Sequence, residues 1–221
     1  LMAALGGQSC SDIPYQRTDD GVVIRLNGKS DYPGQAMRLI VINDRIIRVS
    51  AVPSGEFPET ASLMAVAQPD GKTEFTIEKG DGHLTLSTSS LSAEVSLKTG
   101  AVSFTDKDGT VFLSEQDGGG RSFMPAMAAG ETGYTIRQQF ESFPDEAIYG
   151  LGANQTSFMN LKGKDADLFQ YNTLAVVPFI VSNRNYGILW DNNSRTKYGD
   201  IREWNQLSSL ELYDSQGAEG G

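Results

Sequence analysis

Apolar and polar residues alternate with a period of two along much of this chain. Leu91, Ala93, Val95 and Leu97 are interleaved with Ser92, Glu94, Ser96 and Lys98. Successive side chains of a strand point to opposite faces, so the pattern predicts a half-buried strand. Residues 22–26, 37–42 and 45–52 are rich in β-branched side chains and predict three more. Asn43-Asp44 falls where a hairpin turn between the last two belongs. Residues 75–78 and 84–88 follow, separated by Lys79-Gly80-Asp81-Gly82. Thr99-Gly100 turns the chain into 102–105, and residues 106–109 turn it into 111–114. Alternation resumes at Tyr134, Ile136, Gln138 and Phe140. Further strands are expected at 177–182, 186–191 and 207–213, with Asn183-Arg184-Asn185 as a hairpin turn. Helical periodicity is nearly absent; residues 58–66 have room for one short turn and no more. Residues 115–133 carry Gly118-Gly119-Gly120 and a Met- and Ala-rich run, and read as a long irregular connection with room for an edge strand. Many short strands at near-regular spacing predict an all-β fold, a large antiparallel β-sandwich.

A length of 221 residues is enough for one such domain with a good core. The net charge of −10, with no cluster of Lys or Arg, argues against a nucleic-acid groove. No apolar run is long enough to span a membrane. The main domain is expected over 21–213. Residues 1–20 read as an export-signal remnant and leader, and 214–221, polar and glycine-rich, as a linker to something further. The first ten residues run from Leu1 through small residues to Cys10, the single cysteine. Bacterial lipoproteins are cut before a cysteine that then carries lipid. Cys10 is therefore either a lipid attachment point in an exported, periplasmic or outer-membrane lipoprotein, or a plain unpaired thiol.

Residues 147–200 hold the densest mixture of aromatics, glycines and amides. Tyr149-Gly150-Leu151-Gly152 sets two glycines around one leucine, which suits a tight bend with close backbone approach. Phe169-Gln170-Tyr171-Asn172-Thr173 sets two aromatics among three uncharged hydrogen-bonding side chains. Aromatic faces stack on the C–H surfaces of a sugar while amides and hydroxyls pair with its ring hydroxyls. The alternative is an ordinary sandwich strand with Phe169 and Tyr171 packed on one face.

Catalytic machinery is not legible. One histidine and one cysteine cannot make a common zinc site, so no metal or other cofactor is expected. His83 reads as a surface or edge residue. Gly150-Leu151-Gly152 lacks the third glycine and following helix of a phosphate loop. Asp145, Glu146, Asp165 and Asp167 lie in polar, loop-like sequence and read as solvated charges, not as a glycosidase acid/base pair with a raised pKa.

The order of these motifs resembles the amino-terminal β-sandwich domain of glycoside hydrolase family 31. The resemblance rests on Tyr149-Gly150-Leu151-Gly152, Pro178-Phe179, Ser182-Asn183-Arg184, Tyr186-Gly187-Ile188-Leu189-Trp190 and Asp191-Asn192-Asn193-Ser194. Met37-Arg38-Leu39 and Ile46-Ile47-Arg48-Val49 are similar to the family's first strands. The likeness covers most of 21–213 and implies a galactose-mutarotase-like supersandwich. Gln170-Tyr171-Asn172-Thr173 followed by Pro178-Phe179 is most similar to the α-xylosidases that trim xyloglucan-type oligosaccharides. Many α-glucosidases of the family carry an aspartate where Asn172 stands; an amide donates as well as accepts, whereas a carboxylate only accepts. The resemblance thus implies substrate contacts from Gln170, Tyr171, Asn172 and Thr173. It places the two catalytic aspartates in a (β/α)8 barrel that this chain does not contain, so the barrel is the expected partner and no residue here is expected to be catalytic. Some relatives carry a second β-sandwich after such a domain, a junction that Gly220-Gly221 could mark. An α-glucosidase of the same family, a stand-alone carbohydrate-binding module and a purely structural domain stay open. A mutarotase-type epimerase is disfavoured by the single histidine.

Overall fold

The computed structural model describes residues 15–26, 36–59, 61–116, 118, 120–128, 130–153, 158–170 and 172–199. Every regular element among them is a strand, and every pairing is antiparallel. They fall into two compact units, one within Leu1–Asp145 together with Arg184–Tyr186, the other within Glu146–Asn183 and Gly187–Gly221.

The first unit is a sandwich. One sheet has the order β1 (Tyr15–Arg17), β2 (Gly21–Arg25), β3 (Ala36–Asn43), β4 (Ile46–Val52). The other is a meander of β5 (Thr76–Lys79), β6 (His83–Ser87), β7 (Leu91–Ser96), β8 (Val102–Asp106) and β9 (Val111–Ser114). The alternation read from the sequence sets which face each strand buries. Val22, Ile24, Met37, Leu39 and Val41 from the first sheet meet Leu84, Leu86, Ala93, Val95 and Val102 from the second in one core. Each fully buried Leu or Ile contributes about 1.5–3 kcal/mol, and a slip of one residue in register would turn a whole set outward. β3 is buried on both faces, since Ile40 and Ile42 are also covered. The segment after β4 lies over that outer face: Arg48 donates to the Ala67 carbonyl, Asp70 N–H donates to the Ile42 carbonyl, and Arg38 stacks on Phe57. This double burial is why β3 reads as a continuous apolar run. At one end the β3–β4 turn is tied across the sandwich, where Thr88 and Ser90 hydroxyls donate to the Asp44 carbonyl and carboxylate at 2.7 and 2.8 Å.

The structure corrects the reading of 115–133. Instead of an irregular connection it contains half of a long hairpin, β10 (Arg121–Ala128) paired with β11 (Glu131–Gln138) through eight residue pairs. Met, Ala and Pro are weak strand formers, so β10 gives little local signal; its partner supplies the ladder. Pro125 is tolerated because a two-stranded ribbon leaves each strand an unpaired edge. The hairpin is anchored at its base by a buried ion pair. Arg121 donates to Glu115 at 2.6 Å and to the Gln138 side chain at 2.9 Å, while Val102 N–H donates to the second Glu115 oxygen. Residues 58–66 form no helix among those described; Ser62 Oγ accepts from Met64 N–H and Ala65 N–H instead. β1 lies within the stretch read as leader, and the strand expected at 207–213 lies outside the described residues.

The second unit holds a three-stranded sheet, β12 (Ile148–Ala153), β14 (Ala175–Ser182) and β15 (Tyr186–Leu189), whose first residue belongs to the sandwich unit. A two-stranded ladder, β13 (Ala166–Leu168) with β16 (Thr196–Tyr198), completes it. Asn183-Arg184-Asn185 forms the expected β14–β15 turn, with Asn185 in the left-handed region at φ 63°.

Two outcomes follow for stability. A Cβ at Gly152 would sit 1.9 Å from the Ala175 carbonyl oxygen, at φ 87°. Gly152→Ala is expected to cost roughly 3 kcal/mol, against about 1 kcal/mol for Gly109→Ala, a positive-φ turn with open space around it. Urea midpoints compare the two, and equal losses would refute the close-approach account. Burial pushes the Glu115 carboxyl above its ordinary value of 4.5, and Arg121 only partly offsets this. The native state therefore holds this proton more tightly than the unfolded chain. The contribution is full below about pH 4.5 and is lost as pH rises through the raised folded value. Wild type should lose stability relative to Glu115→Gln over that rise; a pH-independent difference would contradict the burial.

Candidate functional site

The site is built outward from the irregularity where β12 meets β14. Gly150, Leu151 and Gly152 have φ of 125°, 62° and 87°, three consecutive positive values. Opposite them, register jumps from Gly150↔Ile180 to Gly152↔Val176, so Leu151 alone faces Val177, Pro178 and Phe179. The extra residues belong to β14, so the bulge lies there, and the motif is the stretch of β12 opposite it, with the close approach that two glycines permit. Leu151, a β-carbon residue in the left-handed region, is held there by burial at 3% exposure among Leu161 and Leu168.

Leu168 is the last residue of β13, and the polar stretch begins immediately after it. Phe169, Gln170, Asn172 and Thr173 lie outside any strand and are exposed; Phe169 is 54% exposed. The packing alternative for Phe169 thus fails, since a core strand would bury it. Among the described residues no hydrogen bond holds the side chains of Gln170, Asn172 or Thr173, which leaves an amide, a second amide and a hydroxyl with open donors and acceptors. Tyr171 and Cys10 lie outside the described residues.

Two features escaped the sequence reading. The first is an ion pair at the root of this loop. Arg195 forks onto Asp167, with Nε donating to Oδ1 at 3.0 Å and a terminal nitrogen to Oδ2, and its guanidinium lies 5.6 Å from the centre of the Phe169 ring. The carboxylate raises the Arg195 pKa above its ordinary value. Asp167 is thus paired, and nothing in a 28-residue separation announced its partner. The second is an exposed apolar face. Val177, Phe179 and Val181 alternate with the inward Val176 and Ile180, and are 48, 40 and 43% exposed. Tyr149 sits directly opposite Val181, and Gly187 leaves room for the Phe179 ring: a Cβ there would come within 2.8 Å of it. The run Ala-Val-Val-Pro-Phe-Ile-Val is apolar throughout, yet one face of the strand is open.

One assignment is corrected. Glu146 is not solvated but 3% exposed, and Ser182 donates to it at 2.5 Å. Ser182 closes the β14 alternation on its inner face, and the hydroxyl gives the carboxylate the partner that burial demands. Asp145 is exposed, with Arg184 3.8 Å away. Asp165 is half-buried. His83 is exposed, with one ring nitrogen 3.1 Å from the Asp81 carbonyl. Asp70 lines a shallow cleft in the first unit, but Thr73 and the Lys72 and Thr73 N–H groups donate to it and hold its carboxyl below the usual range; it caps a turn. Among the described residues no group of three His, Cys, Asp or Glu is placed to hold a metal.

Comparison with known proteins bears on this geometry. Residues 36–198 match the model of the glycosyl hydrolase 31 N-terminal galactose mutarotase-like domain. An uncharacterised family 31 glucosidase of Pseudescherichia vulneris is 32% identical over 181 residues, 72% of this chain and 33% of the relative. An α-xylosidase of Saccharolobus solfataricus is 43% identical over 70 residues, 28% of this chain and 10% of the relative. The crystal structure of a GH31 α-xylosidase from Xanthomonas citri superposes with a TM-score of 0.77 at 42% identity, over 85% of this chain and 20% of that one. The chain spans about a third of the length of the first of these relatives and a fifth of the last.

Proposed function

The chain belongs to glycoside hydrolase family 31, of which it is the N-terminal galactose mutarotase-like domain, and from that premise we propose that it serves a retaining α-glycosidase that removes xylose from xyloglucan-type oligosaccharides. In this reading the domain carries no catalytic group. It packs on the enzyme's (β/α)8 barrel and lends the loop of Gln170, Tyr171, Asn172 and Thr173 to the sugar pocket. The observation that carries the proposal is the pairing, within one unit, of an open apolar strand face with an exposed aromatic–amide loop. An apolar face of this kind is what an intrachain domain interface covers, and the loop offers an aromatic ring with unsatisfied amides beside it. The α-xylosidase names of the S. solfataricus and X. citri relatives support xylose over glucose. The Leu1–Cys10 sequence supports export, with lipid on Cys10 as the anchor to a bacterial membrane.

Turnover of p-nitrophenyl α-xyloside and α-glucoside by the full-length protein, with this chain run alongside, tests the assignment. Only the full-length protein should act, with the xyloside preferred. Release of nitrophenol by the isolated chain would contradict the division of labour, and preference for glucoside would move the substrate to glucose. Asn172→Ala in the full-length protein should lower kcat/KM about 10-fold or more at unchanged melting temperature, the cost of one lost sugar hydrogen bond with its desolvated partner. Unchanged turnover would refute the pocket role.

A further inference from the structure

We propose that Arg195 is a positioning residue for the sugar-contact loop, acting through Asp167 and Phe169; this rests on the pocket role given above to Asn172. Three observations meet at one guanidinium. Arg195 forks onto both oxygens of Asp167, a two-bond geometry that fixes the angle of the carboxylate as well as its distance. Its cationic plane also lies by the Phe169 ring, 5.6 Å from centroid to Cζ. Between these two residues the backbone makes a tight turn, with Phe169 N–H donating to the Asp167 carbonyl at 2.9 Å. Arg195 thus touches the chain immediately before and immediately after the point where it leaves β13 for the loop.

The ladder beneath cannot do this alone. β13 and β16 pair over three residues, Ala166↔Tyr198, Asp167↔Lys197 and Leu168↔Thr196, and Leu168 is the last residue anchored in the core. Three residues separate it from Asn172. Over that distance a small change in exit direction swings an amide by about an ångström or more, enough to break its hydrogen bond to a sugar hydroxyl. Both partners are about a third exposed, at 33 and 38%. A pair so placed is screened by water and contributes little to folding. Its effect on the loop should therefore exceed its effect on stability, which separates positioning from a structural role.

The test uses the full-length protein and whichever of the two p-nitrophenyl glycosides it turns over faster. Arg195→Ala should raise KM about tenfold with kcat changed far less, because loss of a sugar contact present throughout the reaction weakens ground and transition states together. The melting temperature should hold. Arg195→Lys should rescue little, since an ammonium cannot fork onto a carboxylate or stack as a plane. It also serves as the second variant if the alanine form misfolds. In the Arg195→Ala background, Asn172→Ala should add almost nothing, because the amide is already out of place. Independent, additive losses would overturn the inference, as would a fall in kcat at constant KM or full rescue by lysine. If Asn172→Ala alone has no effect, the pocket reading fails and this inference with it. If Asn172→Ala is costly and Arg195→Ala is silent, the pocket reading stands and only the positioning role is lost.

Discussion

Leu151 is held in a backbone region that costs a β-carbon residue about 1–2 kcal/mol, and the second unit is arranged around keeping it there. The glycines on either side let β12 approach the backbone of β14 more closely than any side chain would allow. That approach lets one residue face three, turns the leucine into the core, and seats it against Leu161 and Leu168. Burying a leucine is worth about 1.5–3 kcal/mol, enough to offset the strain. Because Leu168 is both a member of that cluster and the last residue before the exposed loop, the bulge fixes the loop's origin.

Charge is used in two different ways in the two units. Glu115 and Arg121 are buried together at the base of the β10–β11 hairpin, where the carboxylate also accepts from backbone and Arg121 donates to Gln138. Burial makes that pair expensive to break and weak as a net source of stability, so its value lies in specifying where the hairpin starts. Asp167 and Arg195 are half in water, and their worth is geometric. Glu146 belongs with the first kind: a buried carboxylate whose partner, Ser182, comes from the neighbouring strand.

The open face of Tyr149, Val177, Phe179 and Val181 ties the fold to the proposed function. A domain that ended its task at its own core would expose such a row only at a cost in solubility. The chain spans only about a third and a fifth of the two relatives' lengths, and under the proposed function the row is a surface shared with the rest of the enzyme. The loop and the apolar face belong to one small unit, so what positions one also positions the other.

The sequence by itself determined the all-β class, most strands of the sandwich, the hairpin turn at Asn183-Arg184-Asn185 and, one residue early, the turn that the structure places at Asp44-Arg45, because period-two alternation and turn chemistry are local properties. It also carried the family, through motifs whose order survives in a single chain. Tertiary structure alone decided the rest. The strand Arg121–Ala128 exists because Glu131–Gln138 pairs with it, against its own weak propensity. Glu146 is inside, though its polar surroundings argued the reverse, and Phe169 is outside, one of the two placements its pattern left open. Asp167 finds Arg195 across 28 residues. Each of these depends on what a distant segment places beside the residue, and the free energy of burying a charge or exposing a ring is set by those neighbours, not by the residue's position in the chain.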